Sequence, residues 1–253
     1  MIDGHCHLDK KIGNCSKAFA YLYKTASGKG IKKIILLNIP ELAFDNSVVI
    51  KEAKKYSGFF RVFPSVNPRR QSARDELKRL KTSGACGLKL HPRLHDYRLN
   101  SKECVTLLGI ADKLKMPVMI DCFPDGRSVA LGNTPDAFAS LAEKLPDLKI
   151  AIGHSGGHRI LDALMVAKYF KNIYLDLSYT LLYYRNSSVI KDIAYAIENM
   201  KAERIFWGSD YPDRGYEETV NLSMKEFEKM GLPGRLLKPV LTSNAGFFLG
   251  EHK

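Results

Sequence analysis

The chain has 253 residues, 45% of them hydrophobic and 26% charged, enough to bury a large core and close to the usual length of one eight-fold α/β barrel. No run of about 18 apolar residues occurs, so a membrane span is not expected. The formal net charge of +12 would suit nucleic acid, a membrane surface or anionic small molecules, but its lysines and arginines are dispersed on or beside predicted helices, as on a solvated outer face.

In chain order, strand-like and helix-like segments alternate. Residues 1–7 (Met1-Ile2-Asp3-Gly4-His5-Cys6-His7) read as a strand and lead into a helical stretch at 14–27. Residues 31–38 (IKKIILLN) are an apolar run bounded by Gly30 and Pro40, which predicts a buried strand. A helix at 45–56, a strand at 59–65, a helix at 72–81 and a strand at 84–91 follow. Leu107, Ile110, Ala111 and Leu114 then fall at the i, i+3, i+4, i+7 spacing of one helical face. After a strand at 117–123, Phe138, Leu141, Ala142 and Leu145 repeat that spacing, opened by Thr134-Pro135 as cap and first-turn proline. The last third gives strand 149–154, helix 158–169, strand 172–178, a helix carrying Ile190, Ile193, Ala194 and Ile197, strand 204–210 and helix 217–230. The tail, 238–253, reads as one extra helix over 242–249.

Eight strands, each followed by a helix, predict a closed parallel (β/α)8 TIM barrel of the α/β class, with the tail helix packed on it. No linker or composition break divides the chain, so one domain over 1–253 is expected. Cys6, Cys15, Cys86, Cys104 and Cys122 are odd in number and form no C-x-x-C pair. Together with an opening that lacks a charged-then-apolar leader, they point to reduced thiols in a cytoplasmic protein. Cys6 and Cys122 alternate away from their polar neighbours and read as small buried hydrophobes.

Chemistry in such a barrel gathers at the C-terminal ends of the strands. The first strand ends in His5 and His7, whose spacing of two puts both imidazoles on one face. The pair offers two of the ligands a divalent ion needs. The fourth strand ends in Lys89 and His91, the fifth carries Asp121 and the sixth ends in His154. Asp176 and Ser178 close the seventh, Ser209 and Asp210 the eighth. Singly, each has an ordinary structural account: Asp176 binds backbone at a turn, His91 is loop before Pro92, Lys89 pairs with Asp121 or Asp176. Ionisable groups rarely end apolar strands without partners, and their convergence on one rim points to a site.

The set has the composition of a metal-dependent hydrolase. A divalent ion lowers the pKa of a bound water, and a carboxylate such as Asp210 accepts the proton. His154 is either a ligand or an acid/base that polarises the substrate carbonyl. Lys89 is either a cationic donor to an anionic substrate or a carbamylated bridging ligand for a second metal.

These residues resemble the amidohydrolase superfamily, in particular its amidohydrolase-related branch of TIM-barrel hydrolases and decarboxylases. Asp3-Gly4-His5-Cys6-His7 resembles the strand-1 His-x-His signature. Gly87-Leu88-Lys89-Leu90-His91-Pro92 is similar to the branch's strand-4 pattern, and His154-Ser155-Gly156-Gly157 to its strand-6 histidine with a glycine pair. Asn172 to Ser178 resembles strand 7, Gly208-Ser209-Asp210-Tyr211-Pro212 strand 8, and Ser243-Asn244-Ala245 the closing helix. The resemblance implies one divalent ion, zinc by preference, held by His5, His7 and Asp210, with His154 as ligand or acid/base. It also implies hydrolysis of lactones and amides or non-oxidative decarboxylation. One departure stands out: where the family places a strand-5 histidine ligand, this chain has Asp121. An oxygen ligand there would favour Mn, Mg or Fe(II) more than a three-histidine site does.

The expected function is a metal-dependent hydrolase acting on a small carboxylate-bearing amide, ester or lactone. Its catalytic residues would be Asp210, His154 and Lys89, its metal ligands His5, His7, Asp121, His154 and Asp210. His91, Arg93, Asp176 and Arg214 would bind substrate, the cations focusing an anion into the cleft. The alternatives are a decarboxylase, a TatD-type nuclease and a metal-free binding barrel. The nuclease is disfavoured because Lys89 and Asp121 stand where glutamate and histidine would be expected. Nucleic acid and membrane are therefore not expected partners; a homo-oligomer is left open.

Overall fold

A computed structural model describes residues 1–251; the last two positions of the expected domain and of the 238–253 tail lie outside the described residues. Its eight strands are β1 (Ile2–Cys6), β2 (Lys33–Asn38), β3 (Phe60–Pro64), β4 (Leu88–Leu90), β5 (Val118–Ile120), β6 (Ile150–Ile152), β7 (Ile173–Asp176) and β8 (Ile205–Phe206). Parallel ladders join β1-β2-β3 and, separately, β4 through β8 in chain order. The two seams are sparser. At one, the Cys86 amide donates to the Val62 carbonyl at 2.9 Å and Ser65 pairs with Lys89. At the other, Gly4 N donates to the Trp207 carbonyl at 3.0 Å and Asp210 N to the His5 carbonyl at 2.8 Å. The sheet is the TIM barrel that the alternation predicts.

Side-chain alternation sorts each strand into two cores. Ile34 and Leu36 of β2 point outward to the helices, whereas Ile35 and Leu37 join Phe63, Met119, Tyr174 and Phe206 inside the barrel. Full burial of one such side chain is worth about 1.5–3 kcal/mol. Phe248, from the helix Ser243–Leu249, plugs the bottom against Phe206, Tyr174 and Phe63, with ring centroids 5.5, 5.2 and 5.9 Å away. The same inward parity continues upward to Lys89, Asp121 and Asp176, all buried. Apolar strands thus deliver polar groups to one rim where the inward rows of β4, β5 and β7 turn polar within one residue of the strand's end.

Several boundaries differ from the sequence reading. β6 and β8 stop before His154 and Asp210, which take left-handed φ of 57° and 53°. The helix expected after Thr134-Pro135 begins at Ala137, because the Thr134 hydroxyl bonds the Asp136 side chain rather than capping a helix. The tail is two helices, Gly234–Leu241 and Ser243–Leu249, broken at Thr242 (φ −131°, ψ −70°). Among the described residues no helix is long and apolar enough to cross a membrane.

Candidate active site

A pocket of about 330 Å³ opens at the C-terminal rim, with His5, His7 and Asp210 at its floor. The register of β1 slips between Asp3 and Cys6, an irregularity of the kind that re-aims a side chain. Asp3, which the sequence reading passed over, fixes this segment. Its buried carboxylate accepts from Ser209 N (2.9 Å), His5 N (3.1 Å) and the Tyr216 hydroxyl (3.0 Å). Burial raises its pKa to about 6 against those hydrogen bonds. The chance to see it lay in its place two residues before His5, inside an otherwise buried strand.

Both histidines have one nitrogen committed. His5 Nδ1 donates to Asp176 Oδ2 at 2.6 Å, and His7 Nδ1 donates to the Leu37 carbonyl at 2.6 Å. Each Nε2 is therefore turned into the pocket, 3.1 and 3.6 Å from the same Asp210 oxygen. His5 Nε2 is fully buried and has no hydrogen-bond partner among the described residues. Two imidazole nitrogens and a carboxylate oxygen, with the rings oriented from behind by a carboxylate and a carbonyl, make a donor set that could hold a metal ion. The residues fit a divalent ion. Burial works against charge on His5, but Asp176, aided by Asp210, raises its pKa to about 9. A cation binding there must displace that proton. Burial pushes His7 down, and Asp210 is held well below the carboxylate range by both histidines, although burial opposes its charge.

Asp121 lies outside that donor cluster. Arg93 takes it from two sides, Nε to Oδ2 at 2.8 Å and Nη2 to Oδ1 at 3.3 Å, and reaches Asp125 at 2.8 Å. His154 Nε2 stands 3.3 Å from Asp121 Oδ1, while its Nδ1 donates to the Ser178 carbonyl at 3.1 Å. Burial disfavours the Asp121 charge, yet His91, His154 and Arg93 hold its pKa well below normal. The residue expected as a metal ligand is, in the structure, the anionic partner of His154 and Arg93.

Lys89 is 1% exposed and lines the pocket. Among the described residues it makes no ion pair with Asp121 or Asp176, contrary to the structural account of it. Burial lowers its pKa despite Asp121, Asp210 and Asp176 nearby. His91 also lines the pocket; burial, aided by Lys89 and Arg93, overcomes Asp121 and lowers its pKa to about 3. Two expected substrate ligands lie elsewhere. Asp176 is buried behind His5, saturated by His5, His154 N and Ser178, and does not line the pocket. Arg214 sits beside Asp213, 3.6 Å away, outside the pocket lining. Asp213 itself lines the pocket; its place three residues after Asp210 was the available signal.

A parallel barrel with this donor set at its C-terminal rim belongs to the class of TIM-barrel hydrolytic enzymes. Residues 2–245 match the family model described as amidohydrolase, and the chain belongs to the amidohydrolase family. No curated protein matches it. Among solved structures it is similar to an uncharacterised TIM-barrel protein from Bordetella bronchiseptica, with TM-score 0.80 and 20% identity over 93% of this chain and 83% of that one. A probable 2-pyrone-4,6-dicarboxylic acid hydrolase from Acinetobacter baumannii, with citric acid bound, aligns with TM-score 0.70 and 17% identity over 98% of both chains. A dihydroxybenzoic acid decarboxylase from a Polaromonas species, with manganese and 2-nitroresorcinol bound, gives 0.69 and 17% over 98% of this chain and 96% of that one. At these identities the likeness shows the fold.

Proposed function

We propose that this protein is a metal-dependent hydrolase acting on a small carboxylate-bearing amide, ester or lactone. The observation that carries the reading is the orientation of His5 and His7, each with Nδ1 bound to a fixed acceptor and Nε2 turned to one oxygen of Asp210. These three residues would hold the ion, zinc by preference and manganese, magnesium or iron(II) otherwise. Bound there, a divalent ion supplies Lewis-acid polarisation of a substrate oxygen and lowers the pKa of water.

The chain's own groups do the rest. Asp210 accepts the proton of the attacking water and returns it to the leaving group. His154 Nε2 faces Asp121 Oδ1 at 3.3 Å on the pocket wall, a position from which the ring can pass a proton to a substrate oxygen. Lys89, buried in the same pocket, orients the substrate's anionic group; Arg93 adds positive potential from the wall while holding Asp121. Lys89 and Asp121 occupy places where a TatD-type nuclease would carry glutamate and histidine, which favours a small molecule over nucleic acid.

Non-oxidative decarboxylation is a second reading, supported by the likeness to a dihydroxybenzoic acid decarboxylase. Metal analysis of purified protein, beside His5→Ala and His7→Ala variants, tests the first. About one divalent ion per chain, lost with activity in both variants, is expected; full activity in the variants would sink the reading. Incorporation of oxygen-18 from labelled water into product separates hydrolysis from release of carbon dioxide.

A further inference from the structure

Helices that sheathe the barrel turn charge outward, as Arg74 and Lys78 do on Ala73–Ser83 and Glu218 and Lys225 on Tyr216–Lys229. The helix Ile160–Tyr169 does not. Its buried residues Ile160, Ala163, Leu164 and Ala167 face the barrel, while Leu161, Met165 and Tyr169 stand outward, 41, 64 and 80% exposed. Four residues apart, these three make one apolar stripe along the helix. The helix packed beside it, Val189–Asn199, exposes Tyr195 at 54%. Apolar residues scattered over a surface need no account, whereas a helix apolar on both faces calls for cover on both.

The stripe reads alike from either end. Leu161 and Tyr169 lie four residues to either side of Met165, and Asp162 and Lys168 lie three. Two copies packed antiparallel about a twofold axis at Met165 would set each Leu161 against the partner's Tyr169 and the two Met165 side chains against each other. Each Asp162 would come level with the partner's Lys168. Both are available: Arg159 holds only Oδ2 of Asp162, at 2.7 Å, and the exposed Lys168 makes no ion pair among the described residues. A parallel pairing would instead set like charges level. A twofold contact requires one surface to complement itself. A chain of net charge +12 also repels its own copies except where charge is sparse and matched. These features select a second copy of this chain over an unrelated partner.

We propose that the helix Ile160–Tyr169 is the interface of a homodimer, packed antiparallel on its own copy with Met165 at the twofold axis. A stable dimer buries roughly 800 Å² per partner, more than the stripe of a 10-residue helix supplies. The dimer is therefore reversible, with a dissociation constant of about 10–100 μM. None of these residues lines the pocket, so the interface stands apart from the reaction proposed above.

Sedimentation velocity on the full chain from about 1 to 200 μM reads the mass-action equilibrium. The wild type should pass from monomer to dimer across that range, and Met165→Asp should stay monomeric while melting within about 2 °C of it. Lys168→Glu should weaken the dimer by roughly 10-fold, and adding Asp162→Lys should restore it. Register is read by cross-linking. Facing Cα atoms of two helices packed at their usual spacing lie about 5 Å apart, within disulfide range. Under mild oxidation Met165→Cys should give a covalent dimer. The wild type and Val48→Cys, an exposed apolar position on the helix Asn46–Ala53, should not. A wild type that stays monomeric, a dimer that survives Met165→Asp, a charge reversal that is not restored, or cross-linking no stronger at 165 than at 48 overturns the proposal.

Discussion

Replacing Arg93 by leucine tests whether Asp121 is the partner of a cation pair or a metal ligand. The Asp121 side chain is 1% exposed and that of Arg93 30%. Without the guanidinium, the buried carboxylate loses its only paired cation and keeps the His91 and His154 rings, with Lys89 nearby. Removing one partner of a buried pair costs about 3–5 kcal/mol, and the partial exposure of Arg93 argues for about 3. At about 2–4 °C per kcal/mol for a chain of this size, the melting temperature should fall by about 6–12 °C at neutral pH. The pH dependence has a definite sign. In the wild type the Asp121 pKa lies below its unfolded value, because His91, His154 and Arg93 overcome burial. Its stabilisation is therefore present above the unfolded carboxylate range, about pH 4, and lost as pH falls through the folded pKa. In the variant one of the groups that oppose burial is gone, so the folded pKa rises and less stability is lost on acidification. The gap between the two proteins should narrow as pH falls from 7 toward about 4. Circular-dichroism melts across that range measure it, and metal analysis of the same samples should show unchanged occupancy. A gap under about 2 °C at pH 7, a gap that widens on acidification, or loss of the metal would refute the assignment.

Three further outcomes follow from the same geometry. Because burial is outweighed by Asp176 in raising His5 to about 9, a divalent ion competes with a proton. Its affinity should fall about tenfold per pH unit below that value, and a flat profile in metal-buffered titrations would exclude His5 as a ligand. A Cβ at Gly208 would lie 2.6 Å from His5 Cβ, so Gly208→Ala should displace that ring and weaken metal binding by about 10-fold or more; unchanged affinity would count against the packing argument. Asp3, with its pKa raised by burial from 3.8 to about 6, is less stable charged than neutral in the fold. Wild-type stability relative to Asp3→Asn should therefore drop by roughly 3 kcal/mol as pH rises from about 4 to about 7; urea curves that stay parallel would contradict it.

The architecture was legible because both periods were written plainly. Runs such as Ile34 to Leu37 predicted strands buried on two faces, and each found its place in β2. His5, His7, His154 and Asp210 were legible as a group because ionisable residues at the ends of apolar strands stand out against their neighbours. Their shells were not. Asp121 and Asp176 look alike in sequence, both following apolar strand residues. Only the fold distinguishes them: one is gripped by Arg93 from the short helix Pro92–His95 and the other by His5 from β1. Pairings across such sequence separations have no local period to betray them. Asp3 and the Leu37 carbonyl escaped for the same reason, one acting through backbone amides and the other being backbone itself.

What the period of two could not anticipate is how the site residues leave their strands. His154, Ser155 and Asp210 have φ of 57°, 48° and 53°, and none is glycine. A strand continued through His154 or Asp210 would send alternate side chains away from the pocket. A left-handed residue instead folds the chain over the rim and keeps the side chain above the barrel axis. Each such conformation is uphill for a residue with a Cβ, and each is held by hydrogen bonds that cross between strands. Asp210 N donates to the His5 carbonyl at 2.8 Å, His154 N to Asp176 Oδ2 at 3.3 Å, and the Ser155 hydroxyl to the Asp176 carbonyl at 2.8 Å. Asp176 thus orients His5 with one group and steadies the turn carrying His154 with others. The His5 side and the His154 side of the pocket share that one buried carboxylate, which lies behind both, outside the pocket lining.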